Sequence, residues 1–65
     1  MKLDDLDDVL TVAEVAEFLK ISRPTVYAAV TQKKLKPLKV GRVIRIYKTD
    51  LKRYIDNLYE SEEMI

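Results

Sequence analysis

The sequence predicts a small α+β domain, mainly helical, with the element order helix, helix, β-hairpin, helix. Three observations carry this. Two helix-start signals stand close together, at Thr11 and Ser22. An alternating apolar run folds back on itself about the single glycine, Gly41. Beyond it, Leu51, Tyr54, Ile55 and Leu58 fall at i, i+3, i+4 and i+7, the spacing of one helix face. A chain of 65 residues can bury one small core and no more.

Residues 1–10 are acidic, with Leu3, Leu6, Val9 and Leu10 interspersed, and read as a short amphipathic turn or an arm lying on the domain. Thr11-Val12-Ala13-Glu14 is a capping box: the threonine hydroxyl accepts from the Glu14 backbone N–H, and the glutamate reaches back. The first helix that follows turns Val12, Val15, Ala16 and Leu19 inward and Glu14 and Glu17 outward, and its pattern stops near Lys20. Ile21 points back to the core. Ser22 then caps a second helix, whose first turn accepts Pro24 because a missing N–H costs nothing there. Val26, Ala29 and Val30 form its buried stripe and leave Arg23, Tyr27, Ala28 and Thr31 on the other side.

Pro37 prevents helix in the next stretch, and Leu38, Val40, Ile44 and Ile46 alternate with Lys39 and Arg45 as in a half-buried hairpin. Parity then constrains the turn. A two-residue turn, Gly41-Arg42, pairs Val40 with Val43 and sets Ile44 beside Lys39; an odd turn, Gly41-Arg42-Val43, or a bulge pairs Val40 with Ile44 and Leu38 with Ile46. The odd turn is expected. Thr49 is expected to cap the third helix, with Asp50 at its positive end, and Glu60, Glu62 and Glu63 to fray into solvent. The resulting division is an acidic arm over 1–10, a folded domain over 11–58 and an acidic tail over 59–65.

Composition narrows the chemistry. With no Cys and no His, disulfides, thiolate and imidazole chemistry and nearly all zinc sites are removed. The single Gly leaves no glycine-rich phosphate loop, and no Ser or Thr has a histidine to activate it. No enzyme activity, cofactor or metal is therefore expected. The pairs Asp4/Asp5 and Asp7/Asp8 lack the spacing of a calcium loop and read as a solvated arm. No apolar run approaches a membrane span, and the N-terminus is acidic where a signal peptide is basic, so a cytoplasmic location is expected.

The net charge of +1 conceals a sharp segregation. Between Lys20 and Arg53 there are eleven Lys and Arg against the single acid Asp50, a net of +10, while both flanks are net acidic. Like charges at this density repel unless an anion lies against them, and nucleic acid is the commonest anionic partner. Two short helices joined by a tight turn, the second headed by Ser22-Arg23-Pro24-Thr25, make a helix-turn-helix, in which the second helix enters the major groove.

Here the residues carry a family likeness. The stretches Leu10-Thr11-Val12-Ala13-Glu14-Val15-Ala16 and Ile21-Ser22-Arg23-Pro24-Thr25-Val26-Tyr27, then Val40-Gly41-Arg42, Arg45-Ile46 and Asp50-Leu51, resemble the excisionase-type DNA-binding domains, small relatives of the MerR-type winged helix-turn-helix. The resemblance implies a winged helix-turn-helix that binds double-stranded DNA, with the hairpin as a wing on the backbone or in the minor groove. It implies further that Ser22, Arg23, Thr25 and Tyr27 belong to the recognition helix and Arg42 to the wing tip. Arg23 can donate twice to guanine or hold a phosphate, and Tyr27 and Ser22 suit phosphate. Ser22 can equally serve only as a cap, Thr25 can bond back to it, and Tyr27 can be an edge of the core. Lys39 and Arg45 are expected to project together from one face of the hairpin toward phosphate.

Excisionases suggest a site-specific recombinase as a further partner, and small regulators suggest RNA polymerase; both imply a bacterial or phage-encoded, nucleoid-associated protein. One module covers only about 600–1,000 Å² on DNA, so self-association on repeated sites is expected. Lys20 stands where the family usually has Gly in the turn, Gln32-Lys33-Lys34-Leu35 lacks the usual Gly after the second helix, and Ala28 replaces a frequent Arg. The competing reading keeps the winged fold but binds an acidic protein surface instead of DNA.

Overall fold

The computed structural model describes residues 3–63, with side chains described through Tyr59. The far ends of the acidic arm and tail, residues 1–2 and 64–65, lie outside the described residues. A 3-10 turn, Leu3–Asp5, leads to strand β1, Val9–Thr11, then helices α1, Val12–Leu19, and α2, Arg23–Thr31. Strands β2, Leu38–Val40, and β3, Val43–Tyr47, form the hairpin, and α3, Lys48–Glu63, follows without a loop. The architecture is the small α+β winged helix-turn-helix that the sequence predicts.

Strand β1 is an addition to that expectation. It pairs antiparallel with β3, in the register Val9↔Tyr47, Leu10↔Ile46 and Thr11↔Arg45, so the sheet order is β1-β3-β2 and β3 is central. Its last residue is also the N-cap of α1. The Thr11 hydroxyl accepts from the Glu14 N–H, and the Glu14 carboxylate accepts from the Thr11 N–H, both at 3.0 Å, completing the capping box.

Both helices of the helix-turn-helix end in the same device. Lys20 adopts φ 58°, ψ 44°, with its N–H donating to the Glu17 carbonyl and that of Ile21 to the Ala16 carbonyl. Lys33 has φ 61°, with its N–H donating to Val30 and that of Lys34 to Ala29. These are Schellman closures, in which a left-handed residue lets two N–H groups satisfy the last carbonyls of the helix. Lysine takes the left-handed position in both, and the apolar residue just beyond each, Ile21 and Leu35, turns inward. Leu35 is fully buried and was not evident as core from the sequence.

The hairpin register corrects the expected odd turn. Val40 pairs with Val43, Lys39 with Ile44 and Leu38 with Arg45, so the turn is the two-residue Gly41-Arg42. The cause is the glycine turn, built on a strand whose inward face is already set. Leu10 and Ile46 are paired and both fully buried, which fixes Ile46, and therefore Ile44, on the core face. Gly41, at φ +62°, then occupies the first central position of a two-residue turn, where a primed turn requires glycine. The consequence is that Leu38 and Val40 face away from Ile44 and Ile46, and Val40 is 61% exposed.

Helix α3 also begins earlier than expected. Lys48 is its first residue, so Thr49 lies within the first turn rather than capping it. The Lys48 N–H donates to the Asp8 carbonyl at 2.8 Å, and its ammonium lies 3.4 Å from the Leu6 carbonyl and 3.7 Å from the Asp8 carboxylate. This clip holds the strand-to-helix junction against the acidic arm, whose Leu3 and Leu6 pack on the core. The core itself joins Leu10, Val15, Val26, Ile46 and Leu51, one each from β1, α1, α2, β3 and α3, with Leu35 from the connection after α2. Helix α3 continues as helix through Glu63.

Candidate nucleic-acid interface

Helix α2 carries its polar side outward because its buried stripe is thin. Val26 and Ala29 are buried and Val30 half-buried, while Arg23, Thr25, Tyr27 and Ala28 are exposed. Its N-terminus differs electrostatically from those of α1 and α3, which hold Glu14 and Asp50 in their first turns; α2 has no acid there and begins with Arg23. The dipole of the helix adds a partial positive charge to the guanidinium beside it.

Ser22 caps this helix, accepting from the Thr25 N–H at 3.3 Å, and its hydroxyl lies 2.7 Å from that of Thr25. The two side chains therefore hold one another at the helix head while staying exposed. Tyr27, 48% exposed, is held at a surface position between α2 and the hairpin.

A cleft of about 340 Å³ opens between the head of α2, the start of α1 and the wing. Arg23 and Tyr27 enter from α2, Arg42 and Arg45 from the wing, and Thr11, Val12 and Ala13 form its edge. Three arginines and no acid line it. Arg45 is half-buried, and its guanidinium donates to the neighbouring Ile44 carbonyl at 3.0 Å, which steadies the side chain beside the cleft. Guanidinium groups are weakly hydrated planar donors that match phosphate or guanine in pairs, and grouping three of them without a counter-charge suits an anionic ligand.

Lys39 does not join this group. The two-residue turn places it on the face of Ile44, opposite that of Arg45, so the expected shared projection of Lys39 and Arg45 is corrected. Lys39 instead borders a larger cleft, about 690 Å³, on the other side of the hairpin. Tyr27 borders both. The basic segment is thus divided by the hairpin into an arginine side and a lysine side, a division that depends on register and was hidden in the sequence.

The model of the family described as "Helix-turn-helix domain" matches residues 9–59, most of the chain. The chain belongs to this family of excisionase-type helix-turn-helix domains. As a helix-turn-helix protein it has DNA as the partner that the family supports, and the match takes in β1, the wing and most of α3. The helix-turn-helix domain is also 40% identical, over 52 residues, to a protein of Bacillus subtilis (strain 168) described as "Uncharacterized protein YvgK". The aligned part is 80% of this chain and 17% of that protein, so the chain spans a small part of the relative's length. No solved structure matches it significantly. Among the described residues no helix is long and apolar enough to cross a membrane, and no group of three or more acids could hold a metal ion.

Proposed function

We propose that the chain binds double-stranded DNA sequence-specifically, with α2 in the major groove and the hairpin as a wing on the adjacent backbone or minor groove, as a small excisionase or transcriptional regulator. The observation that carries this is the cleft in which Arg23, Arg42 and Arg45 converge from two elements with no acid among them. Arg23, at the exposed head of α2, is the side chain to read a guanine edge by two hydrogen bonds. Arg42 and Arg45 hold phosphate and set the register of the helix on the duplex. Tyr27 adds a phosphate contact beside them, and Ser22 and Thr25, already bonded to each other, offer their remaining hydroxyl capacity to the backbone. A recombinase or RNA polymerase would then meet the complex, and both roles use the same protein surface.

Measuring duplex affinity against salt tests the reading. A linear fall of log K with log salt at a slope of about −3 to −6, for some four to six phosphates, is expected. No binding to any duplex selected from a random pool, or a slope near zero, would refute it. The spacing of repeats in the selected duplexes also separates a lone promoter half-site from arrayed sites.

A further inference from the structure

Two features remain outside the DNA-facing cleft, and they are neighbours. The first is the larger cleft, floored by Val30, Leu35 and Ile44 and bordered by Lys33, Lys36 and Lys39. An apolar floor under point-charge ammonium groups suits an occupant that alternates apolar side chains with carboxylates better than it suits a sugar-phosphate chain, which offers the floor nothing. The second feature is the outer half of α3. Its apolar stripe begins fully buried at Leu51, is half-buried at Tyr54 and Ile55, and leaves cover at Leu58, 45% exposed, and Tyr59, 65% exposed. The helix continues through a segment carrying Glu60, Glu62 and Glu63.

We propose that the last two turns of α3 dock into the lysine cleft of a second copy, forming a closed dimer. Three glutamates meet three lysines, and Leu58 and Tyr59 supply the apolar surface that the floor of the cleft lacks. The arrangement on one molecule makes the exchange reciprocal. Leu58 and Lys33 line a common notch of about 250 Å³, and Lys33 also borders the lysine cleft, so helix end and cleft lie side by side. A two-fold axis passing beside Lys33 therefore brings each α3 to the other copy's cleft at once. Such a contact is isologous and closes at two copies instead of growing into a filament. The arginine cleft lies on the other side of the hairpin and stays open in each copy.

Sedimentation equilibrium without DNA tests this, and its result is independent of the DNA-binding proposal. The wild-type chain is expected to form a dimer that weakens as salt rises. A cleft variant, Lys33→Glu with Lys36→Glu, and a helix variant, Glu60→Lys with Glu63→Lys, should each dimerise at least about tenfold more weakly. Mixing the two variants should restore association, because each helix then meets a cleft of opposite charge. Circular dichroism confirms that both variants are folded. A wild-type chain that stays monomeric, or a mixture no better than its separate components, overturns the proposal. So does a cleft variant that dimerises normally but loses duplex affinity, since the lysine cleft is then a phosphate track.

Discussion

Replacing Lys20 by glycine is expected to stabilise the protein, although it removes a side chain and adds no contact. Lys20 is held at φ 58°, ψ 44° because its N–H and that of Ile21 must reach the carbonyls of Glu17 and Ala16. A side chain with a Cβ in this conformation costs roughly 1–2 kcal/mol. Glycine removes that strain but adds about 0.4–1 kcal/mol of freedom to the unfolded chain, and losing a cation at a helix C-terminus costs about 0.3 kcal/mol more. The balance is a gain of about 0.5 kcal/mol. For a domain of this size that raises Tm by roughly 2–4 °C. Lys33, at φ 61° in the same closure of α2, should respond alike, and the two closures share no hydrogen-bond partner, so the gains should add. Lys20→Ala is the control. It removes the same charge and keeps the Cβ, so it should give no gain. Thermal and urea denaturation followed by circular dichroism measure Lys20→Gly, Lys33→Gly, the two combined, and Lys20→Ala. If Lys20→Gly is no more stable than Lys20→Ala, left-handed strain is not what this position stores.

Other expectations follow from the remaining contacts. Thr11→Ala should cost about 1 kcal/mol, since it removes the hydroxyl half of the capping box, and denaturant midpoints will show it. Leu51→Ala, at a fully buried position, should cost about 2–5 kcal/mol, enough to leave much of so small a domain unfolded at room temperature by circular dichroism. Arg23→Ala should weaken the preferred duplex by about 1–3 kcal/mol and relax base preference at one position, as read by competition with altered duplexes. Arg42→Ala should weaken all duplexes alike and reduce the salt slope by about one.

Much of the fold was legible because its signals are local. The capping box at Thr11, the serine cap with Pro24 behind it and the stripe beginning at Leu51 each specify a helix from residues within two turns of one another. The left-handed turn at Lys20 falls where the family usually has Gly, so its place was legible without a glycine to mark it. What escaped depends on pairing at a distance. Val9–Thr11 is too short to announce itself as a strand and overlaps a helix cap, yet its pairing with β3 settles which residues of β3 face inward. Because Leu38, Val40 and Val43 are all apolar, pattern alone could not distinguish the two parities. The side of the hairpin taken by Lys39 was lost with it. The arginines at the head of α2 and the wing tip were legible because a helix start and a glycine turn fix their places without reference to register.

Strand β3 pairs with β1 over Arg45–Tyr47 and with β2 over Val43–Arg45, and the residue that ends β1 opposite Arg45 is the same one that caps α1. A wing rooted in this way is no free flap. The distance of its base from the head of α2 is set during folding, so the entropy of ordering that base is spent before any ligand arrives. The protein then behaves as a caliper of fixed opening. In the proposed binding mode a duplex whose groove does not fit is the partner that deforms, and sequences that bend cheaply gain an advantage at positions no side chain touches.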